Sequence, residues 1–185
     1  MPTCSKLSDL YLYDTKIVHM EIQPISSRMF TLLVLYDMQT DYFKRAIEGI
    51  SHQDAQNRLE TKANHVAWLA GSLVHERFEL ARQLGGFAGA DKGNELFKDH
   101  KGIQDGVTYP SLTELQEDWE TISPVLRQIY QTITDEKLDT GFEMMPGENM
   151  TYFELISFMN YREANCIGQI ALWRRLLGYP AINYM

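Results

Sequence analysis

Cysteine is nearly missing from this chain: Cys4 and Cys166 are the only two in 185 residues. Two thiols in a chain of this length are no disulfide framework, and no Cys-x-x-Cys or zinc-finger spacing occurs. Basic runs are absent as well. Acidic residues outnumber basic ones 25 to 17, for a net charge of -8. Such a surface repels a phosphate backbone, so no nucleic-acid partner is expected. Net charge does not describe a patch, and a local basic cleft stays compatible with it. Long apolar runs are missing too. Stretches such as Met29 to Tyr36 are interrupted by Thr or Ser and fall well short of a membrane span. The first twenty residues lack the cationic start and apolar run of a secretory leader. A soluble, reducing, cytoplasmic setting is the simplest expectation, with no membrane partner.

What is present is a globular composition. Apolar residues make up 44% of the chain, and all three aromatic types occur, which separates it from disordered sequences. The length suits one domain, 1–185, able to bury a core without metal or disulfide staples. Residues 1–24 read as an N-terminal arm or a short strand, with Leu10-Tyr11-Leu12-Tyr13 as its apolar part.

Helical periodicity dominates the rest. Met29, Leu32, Leu33, Tyr36, Phe43 and Ile47 recur at helical spacing after Ser26 or Ser27 as N-cap, with Gly49 as a stop. A second helix runs from about Thr61 through Trp68, Leu69, Leu73 and Leu80 to Gly85-Gly86. The segment 87–110 is rich in glycine and charge, with a helical turn expected around Asn94 to Asp99. A connection this long in a compact domain is often functional. Ser111 and Glu114 form a capping box for the third helix, in which Pro124 predicts a kink or break near Thr121. After a second long loop, 135–149, Thr151 and Glu154 cap a fourth helix that ends at Gly178. Four long amphipathic helices without a convincing sheet predict an all-α, up-down four-helix bundle with long connections, one of them a crossover.

Two motifs carry a resemblance. The last helix reads Arg162-Glu163-Ala164-Asn165-Cys166-Ile167-Gly168-Gln169, then Arg174-Arg175-Leu176-Leu177-Gly178. The second reads Asn64-His65-Val66-Ala67-Trp68-Leu69-Ala70-Gly71-Ser72. These resemble the DinB-like (DinB/YfiT-type) family of four-helix bundles. That family's last helix has the pattern His-Glu-x-x-His-x-Gly-Gln, and its second carries a Trp followed by a ligating His. By this resemblance the three metal-binding positions fall on Ser72, Arg162 and Cys166, none of them a histidine. The resemblance covers roughly 27–178 in layout, is specific in the second and fourth helices only, and implies homodimers.

In such a site two His at i and i+4 share one helix face, and a neighbouring helix completes the metal cap. Arg162 cannot ligate, because a guanidinium stays protonated. Standing about where a metal would sit, it brings a positive charge of its own and is expected to pair with Glu76, Asp37 or Asp41, or else to bind an anion in a cleft. Cys166 reads first as a small buried apolar residue; a thiol activated by Arg162 and a metal ligand are the alternatives. Ser72 reads as a core hydroxyl bonded back to its own helix. His65, Ser72 and His75 fit one stripe of the second helix, with Glu76 and Glu79 beside them, and a partly exposed His pair is the plain reading.

The functional expectation is a metal-free DinB-like bundle, without a cofactor, that binds a small molecule or a partner. The alternative is a metal-dependent thiol transferase or isomerase using Cys166, His75 and Glu76. A purely structural dimer module is the third. The site is expected between the second and fourth helices, around Ser72, His75, Glu76, Arg162 and Cys166.

Overall fold

The structure is a computed structural model and describes residues 23–184; Cys4, His19 and nearly all of the expected arm lie outside them. The described chain is mostly helical. Four long helices are α1 (Met29–Ile47), α3 (Val66–Gln83), α5 (Leu112–Thr132) and α7 (Tyr152–Leu176). Short helices lie between them: α2 (His52–Ala55), α4 (Asn94–Phe97) and α6 (Asp135–Leu138). No helix among the described residues is long and apolar enough to cross a membrane.

α1, α5 and α7 each bury one stripe. α5 is the plainest case, burying Leu115, Trp119, Ile122, Leu126 and Tyr130 at steps of three and four. α3 is buried almost all round, because α5, α7 and the segment after α3 each cover one side. Its small residues Ala67, Ala70 and Gly71 allow that close approach. Phe43 stacks on Trp119 with ring centroids 4.0 Å apart, joining α1 to α5 in the core.

The directions of the helices follow from their contacts. His65 meets Tyr109, Arg77 meets Trp119 and Ser123, and Gly86 abuts Ile129, so α3 and α5 run the same way. Ile25 bonds Gln131 and Trp119 bonds Thr40, so α1 opposes α5. Arg28 lies over Phe153, Gln39 bonds Asn160 and Arg174 bonds Ala46, so α1 and α7 are parallel. Strict alternation therefore fails between α3 and α5, and residues 84–111 are the crossover that carries the chain back.

Several local expectations need correction. α1 is capped by Arg28 without a side-chain bond; Ser26 instead accepts from the Arg28 amide and donates to Asp135. α3 begins later than Thr61, with His65 as its N-cap. Pro124 does not break α5, which continues to Thr132. The proline leaves the Glu120 carbonyl without its helical donor, and Glu120 is exposed, where water can replace it. The second long loop holds α6 and a hairpin, β1 (Gly141–Met145) paired antiparallel with β2 (Glu148–Thr151). Pro146-Gly147 makes its turn, with Gly147 at φ +85°. Both capping boxes are present, at Ser111–Glu114 and Thr151–Glu154. Gly85 and Gly178 close α3 and α7 at φ +84° and +86°, a conformation that costs a side-chain-bearing residue energy.

Candidate functional site

A cavity of about 700 Å³ opens between α3 and α7, within the range of small-molecule sites. α3 contributes Trp68, Ser72, His75, Glu76 and Glu79, and α7 contributes Leu155, Phe158, Met159 and Arg162. The crossover closes one side with Phe97 and residues 98–101, and the hairpin closes another with Phe142, Glu143 and Met144. Four of the five residues singled out in the sequence thus line one cavity. Cys166 does not. It is buried beside it, and burial pushes its thiol up against the opposing pull of Arg162. A thiol so placed is a packing group rather than an activated nucleophile.

Arg162 and Glu76 form an ion pair across the α3–α7 seam, each about one-quarter exposed. The other two carboxylates weighed for Arg162 are engaged elsewhere, Asp37 with Arg127 and Asp41 with Arg45. Burial pulls the Arg162 guanidinium below its ordinary value, yet arginine starts so high that it stays charged. Ser72 donates to the Leu69 carbonyl at 2.9 Å, the back-bond expected of it.

His65 and His75 are buried rather than partly exposed. His65 caps α3 by accepting from the Trp68 amide at 3.1 Å. Burial, reinforced by Arg58, holds its pKa down at about 4. His75 Nδ1 lies 2.8 Å from Asp91 Oδ2, and the Asp91 side chain is completely enclosed. Among the described residues no three His, Cys, Asp or Glu side chains form a group able to hold a metal ion. Cys166, His75 and Glu76 are therefore not gathered into a ligand set.

A second ion pair went unread in the sequence. Arg77 and Glu163, the immediate neighbours of Glu76 and Arg162, point into the core while the first pair faces the cavity. Arg77 Nε and Nη2 donate to the two Glu163 oxygens at 2.6 and 2.7 Å. Arg77 Nη1 also donates to Tyr36, Thr40 and Ser123. The guanidinium lies 3.5 Å over the Trp119 ring and 4.1 Å over Tyr36. Burial, joined by the charges of Glu163 and Tyr36, pushes the Tyr130 hydroxyl well up. Burial also works against the Arg77 charge, but Glu163, Tyr36 and Tyr130 together keep Arg77 raised.

Phe97 and Asp91 were also missed, since both lie in the crossover. Phe97 is buried against Gly71, whose absent Cβ would sit 2.4 Å from the ring. That notch seats the crossover over the cavity, and a lone glycine inside a helical pattern was its only sequence signal.

No family model matches the chain, and no curated protein matches it either.

Proposed function

We propose that this chain is a divergent DinB-like four-helix bundle whose α3–α7 cavity holds a small organic molecule. The observation that carries the reading is the Arg162–Glu76 pair in the cavity wall. By the DinB-like resemblance, Ser72 and Arg162 stand where the metal's histidines would be, and both line this cavity. Arg162 then supplies the fixed positive charge that a metal supplies in the family, and Glu76 balances it while the site is empty. The aromatic rings of Trp68, Phe97, Phe142 and Phe158 suit an apolar body, and Arg162 suits an acidic group at its end. A ligand anion would take the place of Glu76 on the guanidinium, which offers a planar fork to a carboxylate or sulfonate.

Anilinonaphthalene sulfonate, an aromatic anion that fluoresces in apolar sites, is a direct probe. Native protein is expected to bind one equivalent with its near-ultraviolet circular dichroism unchanged. Arg162→Met should weaken binding about tenfold, the loss of one charge-assisted contact of roughly 1.4 kcal/mol. Ser72→Phe, which pushes a ring into the cavity, should weaken it as well. Equal binding by all three proteins would overturn the assignment.

A further inference from the structure

We propose that His75 is a proton acceptor for the ligand of this cavity, positioned by Asp91, and that the ligand is a weakly acidic hydroxyl compound, a phenol or an enol. The proposal rests on the ligand-site reading above and adds chemistry to it.

His75 Nδ1 lies 2.8 Å from Asp91 Oδ2. An ionised carboxylate only accepts, so the proton in that bond belongs to Nδ1 and Nε2 keeps its lone pair. Nε2 makes no hydrogen bond to the described residues; Glu79 Oε1 lies 3.6 Å from it, beyond hydrogen-bond range. His75 and Glu79 both line the cavity. Two acceptors facing each other there leave room for a group that donates, and a ligand O–H is such a group.

A counter-charge for the product is in place. Asp91 Oδ1 is buried and has no hydrogen-bond partner among the described residues, so none of them draws off its charge. Glu79 also faces His75 from α3, itself paired with Arg82. From α5, Asp118 lies behind Asp91, and burial pushes its carboxyl up. Lys98, Asp99, His100 and Lys101 line the same cavity from the crossover. The Phe97 ring stacks on the imidazole at 6.0 Å between centroids, which fixes the ring plane.

The step is a proton transfer. The ligand O–H bond breaks, Nε2–H forms, and the electron pair stays on the ligand oxygen. Asp91 holds the resulting imidazolium. An ordinary alcohol is far too weak an acid to give its proton to an imidazole, whereas a phenol or enol hydroxyl is many orders of magnitude more acidic. The aromatic cavity wall matches the body of such a ligand.

The test uses meta-nitrophenol, which turns yellow on ionisation, with full-length protein at about pH 7.5, where the free dye is mostly protonated and an ordinary imidazole mostly neutral. Wild type should bind it and raise its phenolate-to-phenol ratio about tenfold, equivalent to one unit of proton affinity. His75→Gln should bind the dye in its colourless form, and Asp91→Asn should give an intermediate fraction. An unchanged phenolate band in His75→Gln would assign the effect to Arg162 and overturn the proposal. So would binding without colour, or no dye binding while anilinonaphthalene sulfonate still binds. Failure of both probes overturns the ligand-site reading itself. Nitrogen-15 spectra of the wild-type imidazoles give a measurement that needs no variant. Free His75 should carry its proton on Nδ1 only and gain one on Nε2 with the dye; an unprotonated Nε2 in the complex refutes the transfer.

Discussion

Arg77→Met and Glu163→Gln break the same buried pair, and they should respond differently to pH. Glu163→Gln leaves a guanidinium that is 1% exposed and cannot give up its proton. The two charge-assisted bonds it loses are worth about 1.5–3 kcal/mol each. Nη1 keeps Tyr36, Thr40 and Ser123, and the aromatic faces remain. The net cost should therefore lie near the lower end, about 3–4 kcal/mol, as found for broken buried pairs. Arg77→Met leaves a carboxylate instead, and a carboxylate can be protonated. At pH 7 the cost should be similar, about 3–5 kcal/mol. As the pH falls toward the carboxyl range near 4, the folded variant takes up a proton at Glu163 before the unfolded chain does. Folded protein that binds more protons than unfolded gains stability as pH falls. Urea denaturation at pH 7 and pH 5, each referenced to wild type, reads the difference. The Arg77→Met deficit should shrink by about 1 kcal/mol or more, one pH unit's worth of linkage, while the Glu163→Gln deficit stays flat. Parallel pH behaviour, or a cost below about 1 kcal/mol for both, would refute a dry core pair.

Three further outcomes follow from single sites. Gly71→Ala should gain about 1 kcal/mol of helix propensity but lose about 1–3 kcal/mol to the clash with Phe97, so a thermal melt should show net destabilisation; a gain of the full propensity term would mean that Phe97 is not seated there. His65 is held at about 4 against an ordinary 6.5, so the unfolded chain binds its proton first and stability should fall as pH drops from 6.5 toward 4. That loss should reach at most about 3 kcal/mol at 1.36 kcal/mol per unit, and His65→Asn, which keeps a capping acceptor, should flatten this part of the stability–pH curve. In a Cys4→Ser background, Cys166 should react with an aromatic disulfide reagent far more slowly than a free thiol at the same pH, and a rate equal to the free thiol's would revive the activated-thiol reading.

The long helices were legible because α5 and α7 carry complete signals: a capping box, a regular apolar stripe and, for α7, a glycine stop. Local chemistry and tertiary packing agree there. A break at Pro124 is absent because a proline's lost hydrogen bond is tolerable where the orphaned carbonyl faces water. The hairpin was missed because its strands are mostly exposed, so no buried alternation marks them. At the site, Glu76 was within reach of inference, since it lies one turn beyond Ser72 on a face already singled out. Arg77 was not, because a single arginine in an amphipathic helix looks like a surface residue until three other helices supply its partners. Asp91 is separated from His75 by a helix end and a glycine-rich turn, and spacing alone encodes no such meeting.

The cavity's role is tested most directly by amide chemical-shift mapping of anilinonaphthalene sulfonate on nitrogen-15-labelled protein. Shifts concentrated at Ser72, His75, Phe97, Phe142 and Arg162 are expected. A smaller groove between α1 and α7, lined by Leu35, Met38, Ile167 and Tyr184, offers the probe another place to settle. Shifts centred there, with the α3–α7 cavity undisturbed, would contradict the account.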